Sequence, residues 1–508
     1  MASVDRVPGL LGSLAELVGA PTDALRLLIS ILLGVGSGRF CALRLCFPLA
    51  LIHRRTLYGK SPSSQHYYFA ACGLIIGFWN YGGDIMHSMA ALTVTYLTLK
   101  ALGGTLVSVI LTFIFNMGYL LIGYYATATG DYDIKWTMPQ CVLTLRLIGL
   151  AYDIHDGQKK EVRLDKVRDE LDTRRGWFCI KNHVFQEKLS ETQKLTALRE
   201  QPSFLEMAGF CYFPGSFLIG PQFSMRRYLD YVNGKLVKTE LDSNGDRKPP
   251  ASIWPGVQRA LVGFVYVALY QIGTQYVSDQ YLLEPEFDQL GFVKRCFLLG
   301  LWGRCNLYKY ISCWLITEGV CIIFGLTYNG KDKDGRDKWD GCANVSLLTF
   351  ENATEFNHYI LSFNINTNHW CAEYIYKRLK FLGSKLYSQL ATLAFLAVWH
   401  GLHSGYYLCF FQEFIIMYFE KDIKPVLTKN QKLQGLVNGN FLSRALLWSV
   451  LKVYTFVFMG YSLIPFVLLS YSRYIKVYKS FYFMGHVIFL SYPLIAPFIK
   501  KQLKPRRD

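Results

Sequence analysis

The chain has 508 residues, 52% hydrophobic and 18% charged, with a net charge of +17. A soluble protein carries about a quarter charged residues, and the apolar residues here fall in long blocks, not in the one-sided stripes of a water-soluble helical fold. This excludes an ordinary soluble enzyme. The basic excess lies between the apolar blocks and reads as the charge bias of cytoplasmic loops, not as a nucleic-acid footprint.

No basic start precedes the first apolar block, and Asp5, Glu16 and Asp23 stand before it. A cleaved signal peptide is therefore not expected. Apolar blocks follow at about 24–52, 67–82, 84–101, 104–126, 139–152, 204–223, 253–277, 292–303, 307–328, 386–419, 441–472 and 480–499. A spanning helix needs about 20 residues, so the pattern predicts an all-α, polytopic membrane bundle of about ten to twelve crossing or part-crossing helices. Residues 1–508 read as a single domain. No internal repeat of the kind seen in many transporters is visible. The 13 cysteines occur singly, without a CxxC pair, which argues against a zinc site.

Three polar connections set an expected topology. Segment 153–203 is rich in Lys and Arg and reads as cytoplasmic. So does the turn-rich loop 231–252, with Arg226 and Arg227 before it and Lys235 and Lys238 within it. Loop 329–356 is acidic and holds both Asn-x-Ser/Thr sequons, at Asn344 and Asn352, so it is expected in the lumen with these two as glycosylation candidates. The basic C-terminal tail is expected in the cytoplasm.

Three elements carry chemistry. Segment 211–236, "CYFPGSFLIGPQFSMRRYLDYVNGKL", is apolar and aromatic, and Pro214 and Pro221 interrupt it. It reads as a re-entrant or kinked piece, with a substrate gateway as the functional alternative. Segment 361–385 places Asn364, Asn366 and Asn368 at alternate positions, which suits either turn chemistry at a membrane boundary or a site. Tyr374, Lys377, Arg378 and Lys380 follow, either snorkelling to the interface or holding an anionic ligand.

The third element is Trp399-His400-Gly401. No charged residue occurs from Leu386 to Gln412, and His400 sits near the middle of that run. A polar group so placed is costly unless it faces a cavity, so His400 is either a packing histidine or a functional one. His403, one turn on, lacks the further ligands that a metal needs, and no metal is expected.

Together these elements resemble the membrane-bound O-acyltransferase family. Trp399-His400-Gly401, "FNINTNHW" and "GPQFSMRRYLDY" carry the resemblance, and the last two are closest in wording to its lysophospholipid acyltransferases. The longer "FYxDWWN" type of element of the sterol and diacylglycerol acylators is absent. The resemblance implies a bundle enclosing a reaction chamber, with His400 and Asn364 as the catalytic pair. It also implies an acyl-CoA donor from the cytoplasm, a lysophospholipid acceptor from the bilayer and an endoplasmic reticulum location. Acyl-CoA is then a co-substrate, and no cofactor is expected. The tail departs from a dilysine retrieval signal, because Arg506 stands where Lys is needed.

On this reading His400 takes the proton of the sn-2 hydroxyl and Asn364 donates to the developing oxyanion or orients the acceptor. Arg378, Lys377 and Lys380, with Tyr374 beside them, would bind the donor's phosphates. Lysophosphatidylcholine is the leading acceptor, followed by lysophosphatidylethanolamine and lysophosphatidylserine. The alternatives are acylation of a protein or neutral lipid, a transporter, or a scaffold. A homo-oligomer stays open.

Overall fold

The computed structural model describes residues 46–128, 135–159, 189–237, 247–430, 434–435 and 437–503. Their regular structure is helical, apart from two isolated β-bridges. Most of the first apolar block, residues 160–188 of the charged segment, residues 238–246 of the second loop and the tail 504–508 lie outside the described residues.

Among the described residues five helices are long and apolar enough to cross a membrane. The count is six if Tyr471–Ser480 and Met484–Leu503, bent by 82°, form one broken span. The pattern had predicted about ten to twelve crossings or part-crossings. Part of the difference is fusion: blocks 292–303 and 307–328 are one helix, Phe292–Phe324. The charge that separated them is answered inside the bundle. Arg304 lies 3.4 Å from Glu351 and over the Phe350 ring, so the helix runs on.

Fragmentation accounts for more. Block 204–223 begins as the short helix Phe204–Cys211 and then leaves helical geometry until Met225. Its carbonyls need donors at this depth, and Arg146 supplies them. This guanidinium donates to the oxygens of Phe210, Cys211, Ser216 and Pro221, to Ser216 Oγ and to Gln222 Oε1. The Phe210 and Phe223 rings flank it. The kinked character expected of this segment is present.

Helix Ile253–Tyr276 packs antiparallel on Phe292–Phe324 through small residues. A Cβ at Gly256 would sit 2.6 Å from the Gly319 carbonyl, so the backbones touch directly.

One expectation about topology fails. Arg227 donates to the carbonyls of Leu326 and Tyr328, Arg54 donates to those of Pro250 and Ile323, and Tyr231 donates to that of Phe324. The described parts of loop 231–252 and the start of the 329–356 connection therefore share one end of the helix pair and cannot face opposite sides of a membrane. The latter connection is also no simple loop. Beyond residue 341, Cys342, Val345, Phe350 and Ala353 are buried, while Leu348 and Asn352 stay exposed.

Candidate active site

Block 386–419, read as one apolar run, is two helices, Lys385–His400 and Ser404–Lys429. His400 is thus the last residue of a helix and not the middle of one. Gly401 makes the break: its φ of 139° is a conformation that residues with a Cβ rarely adopt. The preceding residue is held from two sides. Trp399 Nε1 donates to the Cys141 carbonyl at 3.0 Å, and the Trp399 carbonyl accepts from Tyr124 Oη at 2.9 Å.

The imidazole of His400 lies among rings. Centroids of Trp399, Phe466, Phe410 and Tyr406 are 4.7, 5.1, 5.3 and 5.6 Å away. Neither ring nitrogen has a hydrogen-bond partner among the described residues, so packing orients the ring and its nitrogens stay available. His400 lines a cavity of about 1300 Å³ whose wall also includes Asn364, Asn344, Gln222, Tyr310, Trp314, Tyr406 and Glu413.

Asn364 stands on the same wall in the left-handed region, φ 51° and ψ 42°, as the residue before helix Ile365–Cys371. Asparagine tolerates this region better than most residues with a Cβ. The other two asparagines of the triplet fix the turn: Asn366 Nδ2 donates to the Cys342 carbonyl, and Asn368 Nδ2 to those of Ile360 and Phe363.

Asn344 completes the arrangement, and its only signal in the sequence was a sequon. Its Oδ1 accepts the Asn366 backbone N–H at 3.0 Å, and its carbonyl accepts that of Ile365 at 3.0 Å. Because a backbone N–H can only donate, the other end of the Asn344 amide is the nitrogen. That nitrogen donates to Asn364 Oδ1 at 3.3 Å. Asn364 is left with its own NH₂ group unengaged by any described residue. Asn344 is itself held from behind. Its N–H donates to Glu318 Oε1, and Glu318 pairs with Arg259 at 2.7 Å.

This corrects the reading of Asn344 as a glycan acceptor. It is 2% exposed and its amide nitrogen is bonded to Asn364 Oδ1, so the folded protein does not present it on the surface as an acceptor. Asn352 is exposed, with its Nδ2 donating to the Leu348 carbonyl.

The basic stretch is not part of the wall. Arg378 makes a two-pronged pair with Asp156 and donates to the Glu373 carbonyl, with its guanidinium 4.8 Å from the Tyr152 ring centroid. Lys377 pairs with Glu373, and Tyr374 Oη donates to Asp153 Oδ1 at 2.7 Å. These three tie segment 372–382 to helix Thr137–Gly157 and to its own turn, which corrects the picture of open phosphate ligands. Lys380 is exposed.

Glu413 is a chamber residue that the sequence analysis did not single out. Glu413 follows the uncharged run by one residue and faces the cavity. Tyr406, Phe410 and Glu413 recur at helical spacing, which was the available signal.

Comparison with known proteins agrees with this geometry. The family profile described as the membrane-bound O-acyltransferase family matches residues 121–464, which include both Asn364 and His400. The chain is 43% identical over 498 residues to "Lysophospholipid acyltransferase 5" of Mus musculus, covering 98% of this chain and 93% of that one. The Drosophila melanogaster protein of the same name is 41% identical over 481 residues, covering 94% and 87%. "Lysophospholipid acyltransferase 1" of Arabidopsis thaliana is 28% identical over 469 residues, covering 87% and 91%. With the family's span enclosing both chamber residues and the helices long enough to cross a bilayer, the chain belongs to the membrane-bound O-acyltransferase family and is a multi-pass membrane protein.

Proposed function

We propose that the chain transfers an acyl group from acyl-CoA to the sn-2 hydroxyl of lysophospholipids in the endoplasmic reticulum membrane, with lysophosphatidylcholine the leading acceptor. The observation that carries this reading is that His400 and Asn364, 36 positions apart in sequence, line one large cavity. The names of the relatives support the acceptor class.

Neutral His400 takes the hydroxyl proton as the oxygen attacks the thioester carbon. The carbonyl oxygen becomes an oxyanion, to which Asn364 Nδ2 donates; one such donor is worth about 2.7–4 kcal/mol. The intermediate collapses, the C–S bond breaks, and the proton on His400 passes to the departing CoA thiolate. No cysteine or serine nucleophile is required, so both substrates occupy the chamber together. Lys380, the exposed cation of its stretch, remains as a contact for the donor's phosphates.

The test uses purified protein with labelled acyl-CoA and separate panels of lysophospholipids, acceptor peptides and diacylglycerol. Product from the lysophospholipid panel alone is expected. Transfer only to peptide or neutral lipid would replace the acceptor class, and transfer to none would remove the enzymatic reading.

A further inference from the structure

The described carboxylates that face the chamber are Asp279 and Glu413. Asp279 is occupied, accepting from Trp302 Nε1 at 2.7 Å. Glu413 has no hydrogen bond and no ion pair with any described residue, and its side chain faces the cavity. The chamber's described cations are engaged elsewhere: Lys135 donates to the Thr127 carbonyl, and Lys309 lies over the Tyr310 ring. A carboxylate in a membrane bundle without a counter-charge is costly. A ligand that brings the counter-charge removes that cost.

Its position relative to His400 narrows the ligand. Tyr406 and Phe410 touch the His400 ring, with centroids at 5.6 and 5.3 Å. Glu413 is three residues beyond Phe410 on the same helix, about 4.5 Å further along the axis at 1.5 Å per residue. In a lysophospholipid with a choline or ethanolamine head, eight covalent bonds separate the sn-2 oxygen from the ammonium nitrogen. With that oxygen at His400, the nitrogen can reach the level of Glu413. Tyr406, Phe410, Phe356 and Tyr359 on the chamber wall offer ring faces, which also attract alkylammonium groups.

Resting on the lysophospholipid reading above, we infer that Glu413 forms an alkylammonium subsite that receives the cationic end of the acceptor head group. Head groups carrying an ammonium are thereby favoured over those carrying only hydroxyls. The subsite makes no bond and breaks none; it contributes binding and register.

The experiment compares wild type, Glu413→Gln and Glu413→Asp in nanodiscs. Acyl transfer is measured with lysophosphatidylcholine and lysophosphatidylglycerol of one chain length. Binding of a single-chain alkyltrimethylammonium is measured separately by calorimetry. In Glu413→Gln, kcat/KM for the choline lipid should fall about tenfold more than for the glycerol lipid, the factor carried by one contact to a charged group. Alkylammonium affinity should fall to a similar degree, and Glu413→Asp should restore part of both. An equal loss with both head groups, or unchanged alkylammonium binding, overturns the subsite. If wild type acylates no lysophospholipid, the broader reading fails, while the calorimetry still decides whether Glu413 binds the cation.

Discussion

Asn344 determines which end of the Asn364 amide faces the chamber. The backbone N–H of Asn366 fixes the oxygen of Asn344, so its nitrogen must meet the oxygen of Asn364. Asn344→Asp keeps the acceptor for Asn366 but cannot donate to Asn364. The Asn364 amide would then turn its nitrogen inward and present an oxygen to the chamber. We expect kcat to fall about 100-fold with both KM values held, as for the loss of one oxyanion donor. Asn344→Asp combined with Asn364→Ala should be no worse than Asn364→Ala alone; additive losses would mean that Asn344 acts through folding.

Asn364 is in the left-handed region, so Asn364→Ala removes a donor and also strains the backbone. Asn364→Gly removes the donor and relieves the strain. Both variants should lose kcat equally, by about 100- to 1000-fold, while thermal denaturation shows Asn364→Gly the more stable of the two. Activity retained by Asn364→Gly would assign the residue to the turn and not to the reaction.

His400→Ala should abolish measurable transfer, since a positioned base contributes about 100- to 10,000-fold. The surrounding rings hold His400 by packing, so size-exclusion behaviour in detergent should match wild type. Normal turnover in this variant would end its assignment as the base.

Arg378→Ala should act on stability before it acts on substrate affinity. The substitution removes the two-pronged partner of the buried Asp156 carboxylate and leaves it only the longer, partly exposed pair with Lys159 at 3.4 Å. Removing one partner of a buried pair costs about 3 kcal/mol or more. A lowered Tm with an unchanged KM for acyl-CoA is expected. A raised KM at unchanged Tm would return Arg378 to the phosphate site.

Glycan analysis separates the sequons. If the loop is glycosylated, Asn352→Gln should remove the mobility shift produced by peptide-N-glycosidase, and Asn344→Gln should leave it intact, since only Asn352 is exposed. The converse pattern would contradict the buried position of Asn344.

Much of the site was legible because membrane residence makes polarity conspicuous. His400 stood out as a polar group in an uncharged run, and the asparagine triplet marked a turn. The sequence could not show that the run breaks at Gly401, because glycine also serves close packing in membrane helices. Nor could it show that Arg378 is spent on Asp156, which lies 222 positions away. Asn344 was read through a sequon pattern that carries no information about burial. Helix boundaries failed for a similar reason: Arg304 looked like a break until Glu351 and the Phe350 ring supplied its environment. Arg146 worked the other way, letting an apolar block give up its helix.

The double hold on Trp399 has a pharmacological side. Its indole is fastened to helix Thr137–Gly157 and its carbonyl to helix Leu106–Thr127, so the residue next to the base moves with those two helices. A small hydrophobic compound lodged between them would drag His400 out of register, and its resistance mutations would map to Tyr124 and Cys141, the chamber-lining residues whose bonds hold Trp399.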